Sequence, residues 1–443
     1  MTQEIIKFLT AGNVDDGKST LIGRLLFDTE SLYQDQIEEV EKSTDVSFKG
    51  GKIDYSLFLD GLTSERSQRI TIDAAYRYFA YKNQKFIIAD APGHEQYTRN
   101  MAVAASNSNT AIILIDAKKG IKTQTIRHSY ISYLFGIKNI IVAVNKMDLI
   151  DNDQKEFDKI KRQYLQKTKD LNFDNIDVVP IIALTGENIV KKGKKLNWYK
   201  GKTIIDYLLE IKSKSANKPV VRLQVQNVIK DDQKRYYQGF LSSGVLNVGD
   251  GVSAFPLKKN AVVTEIIHSS KSVKKADSND SILFRLDKDI DLDRGGLVSA
   301  FAHPPKLSNH FNAYLLWFSE DNFNVDNSKE YFIKLNHNYT RSRIDNVNYH
   351  INVENLKREE NINDIKQNQI ANVKISLSEK LAFDDFKVNR KTGSFLLIDK
   401  STNETIACGV IDTSELQNNN SKTAKTGFFK ELFSLIRKYT ATS

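Results

Sequence analysis

The most constraining feature of the chain is a short stretch near its start, AGNVDDGKSTLIGRLL over residues 11–26, in which Gly12, Gly17, Lys18 and Ser19 stand in the spacing Gly-x4-Gly-Lys-Ser. It follows directly on the apolar run Ile5-Ile6-Lys7-Phe8-Leu9-Thr10. A strand, a glycine-rich loop and a helix in that order make an anion cradle. The glycines let the backbone approach phosphates, and successive N–H groups at the helix start point at the oxygens. The Lys18 ammonium reaches β and γ phosphates and the Ser19 hydroxyl ligates a magnesium ion, Mg2+. Gly12, Asn13, Val14, Asp15, Asp16, Gly17, Lys18, Ser19 and Thr20 are the candidate phosphate-binding residues. From average residue usage, such a pattern arises by chance in a chain this long about once in a hundred sequences, and the flanking strand and helix make it rarer.

A phosphate loop does not choose a base. The tetrapeptide Asn145-Lys146-Met147-Asp148 does so if it ends a strand, and it follows the apolar run NIIVAVNK, residues 139–146. The Asp148 carboxylate can accept from guanine N1–H and the exocyclic amine, which adenine does not offer; a carboxylate left unpaired rejects the wrong base. Asn145 can brace base and phosphate loop together, while the Lys146 stem covers a face of the ring. Between the two motifs lies Asp90-Ala91-Pro92-Gly93-His94 at the tip of KFIIAD, residues 85–90. Asp90 there can hold Mg2+ through water, the Gly93 N–H can meet the γ-phosphate, and His94 can orient the attacking water. Upstream, Thr71 is a candidate for both Mg2+ and γ-phosphate in a loop that orders with GTP. His94, Lys18 and Thr71 are thus the candidate catalytic residues, and Ser19, Thr71 and Asp90 the candidate metal ligands. The other six histidines, among them His128, have no comparable neighbours and read as structural or surface groups.

Up to residue 212 apolar runs alternate with helical stretches, which predicts an α/β P-loop GTPase domain, mostly parallel, with helices on both faces of the sheet. A polar linker over 212–219 ends in Pro219, after which short alternating strands spaced by Gly, Asp and Asn turns predict a small β-barrel over 219–303. AHPPK at 302–306 marks a second boundary before another all-β unit, over 307–414. The remainder, 415–443, reads as a polar linker and a C-terminal amphipathic helix in which Phe428, Leu432, Leu435 and Tyr439 share a face. With 443 residues the chain has room for about three domains. No apolar run approaches the ~20 residues that span a bilayer. No secretory signal is visible at the start, and the one cysteine, Cys408, fits a reducing cytoplasm. The net charge of +9 is spread among scattered lysines rather than one helix face, so a nucleic-acid partner is not expected.

A GTP site followed by two β-barrels resembles the translation-factor class of GTPases. The finer resemblance is to the family of GTP-binding large subunits of sulfate adenylyltransferase. It rests on GNVDDGKSTLIGRLLFDT (12–29), DGLTSERSQRITIDAAYRYF (60–79), DAPGHEQYTRNM (90–101), TQTIRHSYI (123–131), NWYKGKTIIDYL (197–208) and FDDFKVNRKTGSFLLIDKSTNETIACGVI (383–411). Asp16 stands where elongation factors of the Tu type usually carry histidine. The resemblance implies a GTPase that drives formation of adenosine 5′-phosphosulfate and pyrophosphate from ATP and sulfate on a smaller catalytic partner subunit. No second phosphate loop is present to activate ATP on this chain. The resemblance also adds the guanine-bracing segment, with the Ala183 N–H offered to guanine O6 and Leu184 beside it. Three positions depart from the family pattern: Arg69 and Ala104 for glycine, and Ile182 for serine. The alternative is an elongation-factor-like GTPase binding aminoacyl-tRNA or the ribosome; a scaffold with little turnover is a third. No arginine finger is evident, although Arg66 and Arg69 are candidates.

Overall fold

The computed structural model describes residues 5–32, 55–58, 75–211, 220–231, 234–325 and 329–414. Thr71, Arg66, Arg69, the 212–219 linker and the expected C-terminal helix lie outside the described residues. The chain forms two units, one of residues 1–214 with 352–357 and one of residues 215–351 with 358–443.

The first unit is organised by one six-stranded sheet. Its strands are β1 (Ile6–Ala11), β2 (Ala75–Tyr81), β3 (Gln84–Asp90), β4 (Thr110–Asp116), β5 (Asn139–Asn145) and β6 (Asn175–Pro180), in the spatial order β2-β3-β1-β4-β5-β6. All neighbours run parallel except β2, which pairs antiparallel with β3 at the edge. Every residue of β4 is buried, as a strand covered on both faces requires. Phe8, Phe86, Ile112, Leu114 and Ile141 form one core with Leu21, Ile22 and Leu25 of helix α1 (Lys18–Asp28) and with Ile204, Ile205 and Leu208. The alternate residues Leu9, Ile113, Ile115, Val142 and Val144 are buried on the other face. Among the described residues four further helices follow: α2 (Thr98–Ser106), α3 (Thr123–Leu134), α4 (Gln154–Lys167) and α5 (Ile204–Glu210). The register pairs Thr10 with Asp90 and Asp116 with Asn145, so β1, β3, β4 and β5 end along one edge of the sheet. In open parallel sheets that edge is where ligands bind.

The second unit holds two closed six-stranded barrels. The first comprises β7 (Arg222–Asp231), β8 (Lys234–Ser243), β9 (Gly251–Phe255), β10 (Lys259–His268), β11 (Ser281–Leu286) and β12 (Leu297–Ala300), closed by pairing of β9 with β10. The other comprises β13 (Lys306–Trp317), β14 (Glu330–Leu335), β15 (Asn338–Ile351), β16 (Ile370–Phe383), β17 (Ser394–Asp399) and β18 (Thr405–Asp412), closed by β14 with β15. Strands such as SILFRL and EYFIKL bury alternate residues, and the period of two lines each barrel with a separate apolar core. Across the junction Arg222 makes a bidentate pair with Asp384, and Phe255, Leu297 and Ala382 form a small apolar cluster.

Candidate functional site

The phosphate loop leaves β1 at Gly12 and enters α1 through Gly17, whose φ of 93° is open to glycine and strained for other residues. Inside the loop the Asp16 carboxylate is almost fully buried. It accepts from the Asn13 N–H at 2.8 Å and from Asn13 Nδ2 at 3.1 Å, closing the loop on itself. Burial pushes the Asp16 carboxyl above the usual carboxylate range, against the opposing effect of these two bonds. Asn13 Nδ2 also reaches Thr125 Oγ1 at 3.4 Å, tying the loop to the first turn of α3. Val14 and Asp15 are exposed at the loop tip, and Ser19 and Thr20 are half-buried in the first turn of α1. Lys18 is 8% exposed, and no carboxylate among the described residues pairs with it. A shielded ammonium at a helix start, beside loop N–H groups, is an anion site by its chemistry.

The Asp90 segment is brought against this loop. Asp90 is buried, with the Thr10 hydroxyl donating to Oδ1 at 3.3 Å and the Ala91 N–H donating to the Thr10 carbonyl at 3.1 Å. Ala91, Pro92 and Gly93 are buried. A Cβ on Gly93 would lie 2.6 Å from the Gly12 carbonyl oxygen, so only glycine allows this approach. His94 is exposed beside Tyr97, and its Nδ1 accepts from the Gln96 N–H at 3.4 Å.

Asn145 sits between the two ends of the site. Its Nδ2 donates to the Asp16 carbonyl at 2.8 Å, and its Oδ1 accepts the Ala183 N–H at 3.0 Å. Asn145 therefore ties the phosphate loop to the turn that carries Ala183. The Ala183 N–H, which the resemblance assigns to guanine O6, points at Asn145 Oδ1 in this structure. The next N–H, that of Leu184, donates to none of the described residues, and Leu184 is exposed. Ile182 is buried, and its carbonyl closes the turn by accepting from the Thr185 and Gly186 N–H groups at 3.1 and 2.9 Å. Ala104, the other departure within the described residues, packs fully buried in α2. Met147 is buried and Asp148 is exposed.

Sequence reasoning missed Asp116. It ends β4 in register with Asn145, is buried, and pairs with Lys146 Nζ at 2.9 Å. Burial alone would raise its carboxyl. The Lys146 ammonium and the Lys118 and Lys119 N–H groups outweigh that and hold it below the usual range. Lys146 Nζ also donates to the Asp15 carbonyl, which ties this side chain to the phosphate loop. His128 in α3 is fully buried and kept neutral. Burial, then the charges of Lys18 and Arg127, push it down to about 3, so of the two expected places it takes an interior one.

Two family descriptions match the chain: an elongation factor Tu GTP binding domain over residues 3–229 and a GTP-eEF1A C-terminal domain-like unit over 310–412. "Sulfate adenylyltransferase subunit 1" of Saccharophagus degradans is 41% identical over 99% of this chain and 93% of its own length. The protein of that name from Aliarcobacter butzleri shows the same identity and coverage. That of Bacteroides thetaiotaomicron is 40% identical over 94% of this chain and 88% of its own. With the phosphate loop, the Asp90 segment and the Asn145 brace on one sheet edge, and two closed barrels after them, the chain belongs to the sulfate adenylyltransferase subunit 1 family of elongation factor Tu-like GTP-binding proteins.

Proposed function

We propose that the chain is the GTP-binding subunit of a two-subunit sulfate adenylyltransferase. GTP binding and hydrolysis here drive transfer of AMP from ATP to sulfate on a separate catalytic subunit, giving adenosine 5′-phosphosulfate and pyrophosphate. The nucleotide part of the proposal rests on one observation: the shielded Lys18 ammonium, without a carboxylate partner among the described residues, at the start of α1. The partner is supported by the relatives' designation as a subunit and by the single phosphate loop of this sequence.

In this assignment Lys18 and the loop N–H groups neutralise charge on the β and γ oxygens, and Asn145 holds the phosphate loop and base turn at a fixed separation. Asp148 reads the guanine N1–H and amine, and the Leu184 N–H, which donates to none of the described residues, is the donor for O6. Ser19 and the buried Asp90, with Thr71, would hold Mg2+. Among the described residues no cluster of three His, Cys, Asp or Glu side chains exists. A magnesium ion with a hydroxyl, one carboxylate through water and nucleotide oxygens needs none. When bound, it supplies charge neutralisation at the transferring phosphoryl group. His94 orients the attacking water. Among the described residues no helix is long and apolar enough to cross a membrane; we assign the complex to the cytoplasm.

Coupling requires the catalytic subunit to bind the GTP and GDP states with different affinities. The test is pyrophosphate release from ATP and sulfate by the chain reconstituted with a catalytic subunit. Release that rises with GTP and stops with a non-hydrolysable analogue supports the proposal. Release indifferent to GTP, or salt-sensitive capture of tRNA by the GTP form, rejects it.

A further inference from the structure

Helix α1 carries a charged residue that the phosphate loop does not use. Arg24 lies six positions beyond Lys18; two nitrogens of its guanidinium are hydrogen-bonded, and a third side packs against backbone. Nε donates to Asp28 Oδ1 at 2.9 Å, one turn along the same helix. Nη1 donates to the Tyr55 hydroxyl at 3.0 Å, and the cation stacks over the Tyr55 ring at 4.9 Å. The third side faces the turn that follows β6. A Cβ on Gly186 would lie 2.7 Å from both Cζ and Nη2, and Gly186 has a φ of 81°, so the backbone of that turn rests directly on the guanidinium.

Tyr55 is itself seated on α1. Its backbone carbonyl lies where a Cβ on Gly23 would fall, its ring packs edge-on against Phe27 at 5.4 Å, and it is buried. Arg24 is therefore a joint between three pieces of chain: the phosphate-loop helix, the Tyr55–Phe58 turn and the 182–186 turn. The last of these carries Ala183, bonded to Asn145, and Leu184, whose N–H donates to none of the described residues. The helix that presents Lys18 to phosphates at its start thus props, two turns later, the backbone that meets the base.

We propose that Arg24 is a positioning residue for base recognition, holding the 182–186 turn at the height where the Leu184 N–H meets O6 of a guanine nucleotide. The proposal rests on the nucleotide site described above. Adenine presents an amine at the place of O6, so a donor fixed there attracts guanine and opposes adenine; a donor free to move does neither. Lysine cannot replace the planar fork, because its single ammonium cannot bond Asp28 and Tyr55 while lying flat against Gly186.

The test uses the full chain and competition of GTP, GDP and ATP against a fluorescent guanine nucleotide. The wild type binds GTP in preference to ATP. Arg24→Ala lowers the GTP:ATP affinity ratio about tenfold, the worth of one misplaced hydrogen bond, and weakens GTP and GDP by the same factor because both share the base. Arg24→Lys falls between, and Tyr55→Phe, which removes only the hydroxyl, lowers the ratio about twofold to fivefold. A role confined to packing would lower the melting temperature and leave the ratio unchanged. An unaltered ratio in Arg24→Ala overturns the proposal, and if that variant does not fold, an unaltered ratio in both Arg24→Lys and Tyr55→Phe does so. A wild type without preference for GTP overturns the nucleotide site itself and this role with it.

Discussion

Replacing Asp384 by alanine is expected to destabilise the two-barrel unit more than any surface change. The Asp384 carboxylate receives Arg222 Nε and Nη2, each at 2.7 Å, and the Thr392 hydroxyl, while Arg222 is 2% exposed and Asp384 5%. Truncation leaves the guanidinium buried, with only Nη1 still bonded, to the Val221 and His303 carbonyls at 2.9 and 2.8 Å. Removing one partner of a buried pair costs about 3–5 kcal/mol, because the remaining charge keeps its desolvation penalty without compensation. For a cooperative unit of about 200 residues each kcal/mol moves the melting temperature by about 2–4 °C, so a fall of about 10 °C is expected. The assay is thermal and urea unfolding of the full chain, followed by circular dichroism. The double variant Arg222→Met with Asp384→Leu, which removes both charges, is expected to recover most of the loss. A single variant costing under about 1 kcal/mol would show that water reaches the pair and that the reasoning from burial is wrong.

Four further outcomes separate the parts of the nucleotide site. Lys18→Ala removes charge-assisted bonds to two phosphates and is expected to weaken GTP binding by about 10²-fold or more in equilibrium titration, with little change in melting temperature. Asp148→Asn turns an acceptor into a group that also donates, so affinity moves from guanine toward xanthine nucleotides, which carry a carbonyl at the position of the amine; competition binding reads the shift. For Asp16 the folded carboxyl lies above its unfolded value. Stability is therefore lost as pH rises from about 4 through the raised value, and Asp16→Asn flattens that segment of the urea-stability profile. Asp116 has the opposite sign. Its carboxyl is held below the unfolded value, so its contribution is complete above about pH 4 and disappears as pH falls, a loss that Asp116→Asn removes from the same profile.

The legible part of this site is the part whose chemistry must follow a strand. Gly12 to Ser19, Asp90 to Gly93 and Asn145 to Asp148 are short motifs after apolar runs, and the register of β1 with β3 and β4 with β5 sets their ends along one edge. Barrel strands are legible for a related reason, since alternate burial appears directly as alternate residue type. Long-range partners leave no such trace. Arg24 is tied to Tyr55 across 31 positions, Asn145 to Asp16 across 129 and Arg222 to Asp384 across 162. Nothing local in IGRLLFD marks one arginine as a joint. Asp116 was within reach, because it closes a strand in register with Asn145, but its pairing with Lys146 depends on that lysine's left-handed backbone, with φ at 60°. The Ala183 N–H illustrates the finer limit: successive amides in a turn point in different directions, and residue type does not say which one Asn145 takes. The phosphate end of the site is thus written in local spacing, whereas the base end depends on contacts between distant segments. Substitutions such as Arg24→Ala should therefore change which base is accepted before they change whether a triphosphate is held.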